Sequence, residues 1–272
     1  MTELRKAVIL ARGLGSRMRS GGEAAGLTPD QSRVADTGMK ALVPIERPFL
    51  DYVLSALADA GYQQVCLVVG PEHQAIRDYY TLAAPPRRLA VTFAVQQEPR
   101  GTADALLAAE AFAGADEFVV MNSDNYYPIP VLTELRTAGE PSVPLFERRT
   151  LVRESNIPDE RVRAYAIGMV GDDGYLKGIV EKPDPATFER YGEDAPISMN
   201  CWRFGPAIFD ACRHVAPSAR GELELPQAVD LFVGKMGGRL RVISCRAGVL
   251  DLSSRSDIAA VAERLRGVEA RP

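Results

Sequence analysis

Val8-Ile9-Leu10-Ala11-Arg12-Gly13-Leu14-Gly15-Ser16-Arg17-Met18 decides how the rest of this chain is read. The apolar run over residues 7–11 reads as a buried strand. It breaks into Gly13 and Gly15, then meets Arg17. Glycines at such a turn let the backbone approach a ligand closely and present its N–H groups. Arg17 adds a fixed positive charge. Strand, glycine turn and cation together suit a phosphate. The same residues also suit a plain turn between a strand and a helix, with Arg17 in solvent. The remaining sequence has to separate these readings.

Residues 19–38 are polar and glycine-rich, without periodicity, and read as a long loop. Residues 39–45 are a short apolar piece that carries Lys40. Pro48 opens a helix with apolar positions at 50, 53, 54, 57 and 58, and Gly61 ends it. Strands follow at 64–69, 89–96 and 117–121, with helices at 73–80 and 102–112 between them. Strands alternating with helices predict a parallel, three-layer α/β sheet. Ligands of such sheets bind at the carboxyl ends of the strands. In the second half, strands read at 163–170, 176–180, 198–204 and 239–244, with helices at 206–213, 225–233 and 255–266. Residues 140–159, charged and proline-bearing, read as a mobile linker. The second half is expected to extend the sheet and wall off a substrate pocket.

The bulk properties narrow the function. The chain has 272 residues, 46% hydrophobic and 25% charged, which fits one large α/β domain. A net charge of -4 points away from nucleic acid. No apolar run has membrane-spanning length and the first residues do not read as a signal, so neither a membrane nor export is expected. Cys66, Cys201, Cys212 and Cys245 are scattered and read as free, mostly buried thiols of a cytoplasmic protein. His73 and His214 stand in no pattern, which argues against a histidine-built metal site or triad.

Four further stretches follow strand ends. Asp124 leaves the strand 117–121 where a carboxylate can hold a divalent cation, or can simply shape a turn. Gln96 precedes Gly101-Thr102 at a helix start; its amide suits a pyrimidine edge, and Thr102 suits a helix cap. Glu181-Lys182-Pro183 ends another strand and can address a sugar hydroxyl and a phosphate, or form a solvated pair. Asp251 ends the last strand-like piece and can face Asp124. Two carboxylates plus substrate phosphates are a common way to hold magnesium.

In this order the stretches resemble the sugar-1-phosphate nucleotidyltransferases. The family's opening signature matches residues 10–18, and its Lys-x-Leu-x-Pro element matches Lys40-Ala41-Leu42-Val43-Pro44. Its Gln-x-x-x-x-Gly-Thr-Ala matches residues 96–103, and its Gly-Asp-Asn appears as Ser123-Asp124-Asn125. Its Glu-Lys-Pro is residues 181–183, its sugar-contacting asparagine is Asn200, and its Gly-Glu-x-Glu-Leu is residues 221–225. Asp251 and Asp257 match its late acidic positions. The resemblance implies a Rossmann-like three-layer sandwich with a mixed, mostly parallel sheet. It implies one nucleotidyltransferase domain over residues 1–272, with a nucleotide half at 1–135 and a sugar half at 160–272.

The resemblance also implies the reaction: a sugar 1-phosphate and a nucleoside triphosphate give a nucleoside-diphosphate sugar and pyrophosphate, with Mg²⁺ as cofactor. Arg17, Lys40 and Lys182 then act on phosphates. Leu10, Ala11, Gly13, Gly15, Gln96, Gly101, Thr102 and Asp124 line the nucleotide. Glu181 and Asn200 hold the sugar, and Asp124 and Asp251 the metal. Gln96 leans towards uridine or thymidine; Gln97 and Glu98 keep guanosine open. Association with copies of itself also stays open. After Asp251 only a helix and a tail remain, so no carboxyl-terminal β-helix is expected.

The chain departs from the family in places. Arg12 stands where alanine or glycine is usual, and can contact the triphosphate or block part of the pocket. Asn122-Ser123 precedes Asp124, and Leu252-Ser253-Ser254 follows Asp251. Trp202 reads either as core or as bulk beside the sugar. A dinucleotide-binding oxidoreductase lacks its third glycine, because Met18 stands there, and its acidic residue after the second strand, because Gly70-Pro71 stands there. An inert, regulatory homologue would be expected to lose Arg17, Lys40, Asp124 or Asp251, and all four are present.

Overall fold

A computed structural model describes residues 4–20 and 26–272. Residues 1–3, and residues 21–25 of the predicted long loop, lie outside it. Twelve strands occur among the described residues: β1 Lys6–Leu10, β2 Gln64–Val69, β3 Ala90–Val95, β4 Phe118–Asn122, β5 Asn125–Tyr126, β6 Ser142–Glu147, β7 Ile167–Val170, β8 Leu176–Val180, β9 Pro196–Ser198, β10 Trp202–Phe204, β11 Arg241–Cys245 and β12 Leu250–Asp251. Ten of them form one sheet in the order β3-β2-β1-β4-β10-β6-β9-β7-β8, with β11 also on β6; β12 and β5 form a separate ribbon. The pairings give β3, β2, β1, β4, β6, β11 and β7 one direction and β10, β9 and β8 the other. The sheet is thus mixed and mostly parallel, rather than parallel throughout.

The layers follow from strand alternation. Ala7 and Ile9 of β1 face one apolar cluster, while Val8 and Leu10 face the other. β2 and β4 divide in the same way, so these strands are buried on both sides and read as unbroken apolar runs. Helices Phe49–Asp59, Ile129–Thr137 and Asp257–Leu265 supply the first cluster, and Thr102–Ala108, Ile208–His214 and Leu225–Lys235 the second. Trp202 belongs to the second cluster, fully buried and stacked on Phe204 at 5.9 Å, so its bulk serves the core. All four cysteines are free and buried, and burial holds each thiol above its ordinary range. Among the described residues no helix is long and apolar enough to cross a membrane.

Several expectations are corrected. Residues 140–159 are not a mobile linker: they hold β6, inside the sheet, and the helix Arg148–Glu154. Pro144 disguises that strand, since proline cannot donate to a ladder. It is tolerated because β10 pairs β6 only at Ser142 and β9 only from Leu145 onward, so its missing N–H falls in the gap. The predicted strand 198–204 splits into β9 and β10 around Asn200, whose φ is 59°. The predicted strand 163–170 begins only at Ile167, and the predicted helix 102–112 breaks at Ala109. The predicted loop 19–38 contains the helix Pro29–Thr37. Thr28 and Gln31 form a reciprocal capping box there, a signal legible in the sequence.

Candidate active site

The turn after β1 is built backbone against backbone. Gly15 has φ 60°, and a Cβ there would lie 2.2 Å from the Gly38 carbonyl oxygen. Gly38 ends the helix Pro29–Thr37 in the left-handed region, and its own Cβ would meet the Leu14 oxygen at 2.8 Å. Gly15 is therefore required by packing within the protein, in addition to its place on the cavity wall. Gly13 is different: a Cβ there meets nothing within 4 Å, and the residue faces open space. Arg17 follows on the helix Ser16–Ser20, exposed. That helix is tied down by buried Met18, whose carbonyl accepts from Arg255 Nε at 2.7 Å.

The turn opens onto a cavity of about 430 Å³. It lies at the carboxyl ends of β1, β3 and β4, where sequence reasoning puts a ligand. Every residue expected to line the nucleotide borders it: Leu10, Ala11, Gly13, Gly15, Gln96, Gly101, Thr102 and Asp124, with Arg17 and Lys40. The Ala11 N–H donates to the Val68 carbonyl and the Ser123 N–H to that of Leu10, so the strands hand over to the cavity wall without a break.

On the β3 side, buried Gln96 donates from Nε2 to the Gly101 carbonyl at 3.0 Å and to Asp104 Oδ2 at 2.8 Å. Both partners are acceptors, which fixes the amide orientation and leaves Oε1 as the atom Gln96 offers a ligand. Gly101 has φ 115°, and a Cβ there would strike the Leu223 carbonyl oxygen at 2.4 Å. Thr102 does not cap its own helix; its hydroxyl accepts from the Leu225 N–H at 2.8 Å. Gly101-Thr102 thus docks the segment leading into the helix Leu225–Lys235, and that segment brings Arg220 and Glu222 to the cavity. Sequence reasoning missed Arg220, which stands immediately before the matched residues 221–225, and gave Glu222 within them no role.

On the β4 side, Lys40 Nζ lies 2.8 Å from Asp124 Oδ2. Lys40 is held there by one 3-10 turn, Lys40–Leu42. Asp124 and Asp251 are brought together by the ribbon: Asp251 pairs with Asn125 across β12 and β5, and the Leu252 N–H donates to the Asp124 carbonyl at 2.8 Å. Asn156 takes up the outer edge of β12. Its Nδ2 donates to the Asp251 carbonyl and its Oδ1 accepts the Asp251 N–H, both at 2.8 Å. Asn156 was also missed, because it falls in the stretch read as a linker.

Asp251 is 4% exposed. It accepts from the Ser253 hydroxyl at 2.9 Å and the Tyr165 hydroxyl at 3.0 Å, and Arg161 Nη2 approaches at 3.3 Å. Burial, and then the charge of Asp124, push its pKa up against these partners. Two carboxylates that repel each other beside a cavity form a donor set suited to a dication, with other ligands supplied by phosphate or water. Among the described residues no group of three or more His, Cys, Asp or Glu side chains could hold a metal, so these two carboxylates stand without a third.

A second cavity of about 140 Å³ adjoins the first. Asn200, Tyr165 and Asp251 line it, and it shares Arg17, Asn122 and Asp124 with the larger one. Glu181 and Lys182, after β8, line neither cavity. They are exposed, though protein crowds Glu181 on several sides. That crowding and the charge of Glu224 raise the Glu181 carboxyl, while Lys182 and Arg220 pull it down. Lys182 and Asn200 have φ of 44° and 59° and are the only residues other than glycine at positive φ among those described. Strain of this kind concentrates at functional sites, and both positions were singled out from sequence.

The family described as nucleotidyl transferase matches residues 6–246 of the sequence. This chain belongs to that family. It falls with the sugar-1-phosphate nucleotidyltransferases that its motifs resemble. The UTP–glucose-1-phosphate uridylyltransferase AglF of Haloferax volcanii is 29% identical, over 96% of this chain and 96% of the relative. The glucose-1-phosphate thymidylyltransferase of Streptomyces antibioticus is 30% identical over 84% of this chain, which spans only 57% of that relative. A solved UDP-glucose pyrophosphorylase complexed with UDP-glucose superposes with a TM-score of 0.72 at 18% identity, covering 98% of this chain and 100% of its own. At that identity the likeness establishes the fold of this transferase: a mixed sheet with helices on both faces.

Proposed function

We propose that this nucleotidyltransferase joins a sugar 1-phosphate to a nucleoside triphosphate, with uridine or thymidine as the favoured base and Mg²⁺ as cofactor. The observation that carries the reading is the meeting of the two cavities at Arg17, Asn122 and Asp124. A nucleotide fills the larger cavity with its base towards Gln96 and its phosphates towards Lys40. The sugar occupies the smaller cavity beside Asn200, and Glu181 and Lys182, which line neither cavity, reach the sugar and its phosphate from the end of β8. A phosphate oxygen of the sugar 1-phosphate attacks the α-phosphorus in line, and the bond to pyrophosphate breaks. No proton has to move, so positioning and charge neutralisation do the work.

Lys40 orients the α-phosphate and the attacking phosphate, Arg17 neutralises the departing pyrophosphate, and Lys182 steadies the phosphate of the sugar. Asp124 and Asp251 would hold Mg²⁺, which when bound neutralises phosphate charge. The nucleotide side falls to residues 1–135 and the sugar side to residues 160–272, joined through β6. The buried free thiols suit a cytoplasmic setting.

The test is pyrophosphate release from a panel of triphosphates and sugar 1-phosphates, with and without Mg²⁺. Asp124→Asn is expected to lower Mg²⁺-dependent turnover by about 100-fold or more, as loss of one charge-stabilising group does, with the thermal transition unchanged. Full activity in this variant would overturn the metal assignment.

A further inference from the structure

Arg12 leaves the end of β1 and crosses the carboxyl ends of its neighbours. Its Nη2 donates to the Gln97 carbonyl at 3.2 Å, after β3, and its Nε reaches Glu72 Oε1 at 3.4 Å, after β2. The residue is 8% exposed, lines the larger cavity, and its Nη1 is buried without a hydrogen-bond partner. A guanidinium cannot shed its charge, and a buried donor of a charged group left unpaired is costly. Two of its three nitrogens are loosely engaged and the third not at all, so the fork is short of an acceptor.

The sheet order says which part of a ligand supplies that acceptor. β3, β2, β1 and β4 lie side by side. Lys40 and Asp124 stand at the β4 end, and Gln96 and Gln97 follow β3. Arg12 reaches towards β2 and β3, away from the phosphate-directed lysine, and bonds the residue next to Gln96. On the reading of this cavity as a nucleotide site, we propose that Arg12 is a base-specificity residue whose guanidinium donates to an exocyclic carbonyl oxygen of the base.

With Gln96 Oε1 as acceptor and Arg12 as donor, the wall matches an edge that presents a ring N–H beside a C=O. Uracil, thymine and guanine carry that edge. Cytosine and adenine carry the reverse, a bare ring nitrogen beside an amino group, which sets acceptor against acceptor and donor against donor. A site built to hydrogen-bond one pattern rejects the other strongly, because its own polar groups are then left unpaired.

The test is equilibrium binding of UTP, dTTP, GTP, CTP and ATP with Mg²⁺ and no sugar phosphate, to the full chain and to R12K and R12A. The parent is expected to bind at least one keto-base triphosphate about 10-fold or more tighter than CTP and ATP, as one charged hydrogen bond allows. R12A is expected to lose that preference by weakening the keto-base ligands while leaving CTP and ATP near their parental affinities. R12K retains the charge without the planar fork and checks the result if R12A fails to fold. An equal loss for all five triphosphates makes Arg12 a phosphate cation and overturns the proposal, as does an unchanged preference in both variants. No binding of any triphosphate to the parent overturns the nucleotide reading itself, a result distinct from loss of base preference alone.

Discussion

The sheet has two unlike halves. β1 to β4 run parallel, β1, β2 and β4 are buried on both faces with β3 at the edge, and the segments between them carry helices with clear apolar stripes. β6 to β11 mix directions, and β9 and β10 have three residues each. In the first half a parallel crossover needs a long connection, so the helix between two strands is written as plainly as the strands. In the second, antiparallel neighbours other than the β7–β8 pair come from distant parts of the chain, and a strand of three residues leaves almost no period to detect. The parallel half opens its cavity at strand ends, where a glycine turn is an overt signal. The mixed half contributes through single residues, Asn200, Asp251 and Asn156, whose significance depends on what they meet.

That contrast can be broken or sharpened by substitution. Gly15→Ala should have the largest effect. Its left-handed φ and the 2.2 Å approach to Gly38 force the backbone apart, costing about 3 kcal/mol or more in urea unfolding. Gly13→Ala should leave stability within about 1 kcal/mol, since nothing lies within 4 Å of its Cβ, and should act on nucleotide affinity instead. Equal destabilisation by both would remove the distinction between a packing glycine and a ligand-facing one.

Asn156→Ala comes next, in the half whose signals are hidden. It strips both backbone partners from Asp251 and should cost about 2 kcal/mol, with a loss of activity that added Mg²⁺ does not restore. Unchanged stability would mean that β12 holds its place through β5 alone.

Asp159→Asn should have the smallest effect. Against the opposing influence of burial, hydrogen bonds from Arg148 and Arg163 hold the Asp159 carboxyl below the ordinary carboxylate range. A lowered folded-state pKa contributes stability that is present above the unfolded value and fades as pH falls through the folded one. The variant should therefore be less stable than the parent at pH 7 by at most about 1 kcal/mol, given a partly exposed pair. The difference should close below about pH 4, near the unfolded aspartate value. A gap that persists at pH 2 would show that the aspartate acts by packing rather than by charge.

Much of the site was legible because Gln96, Asp124 and Asn200 sit one or two positions past strand ends, Arg17 and Gly101 follow in the next turns, and Asp251 closes a strand. Arg17, Lys40, Gln96, Gly101, Asp124, Asn200 and Asp251 all come to the two cavities as read. Arg220, Asn156, Tyr165 and Arg161 were not legible: the last three meet Asp251 far along the chain, and Arg220 comes to the cavity through a segment docked on Gly101-Thr102. β6 was hidden by a proline whose missing N–H falls between two neighbours, a fact of pairing rather than of sequence.

The sequence by itself determined the parallel half, the order of the motifs, the family and most of the residue types around the two cavities. These rest on local periodicity and on residues fixed to the ends of strands. Only the tertiary structure decided that Gly15 serves Gly38, that Thr102 holds Leu225, that Trp202 is core, and that Arg12 carries a buried nitrogen without a partner. Each of these is a contact between segments distant along the chain, and a packed interior, not a local preference, sets which atoms meet.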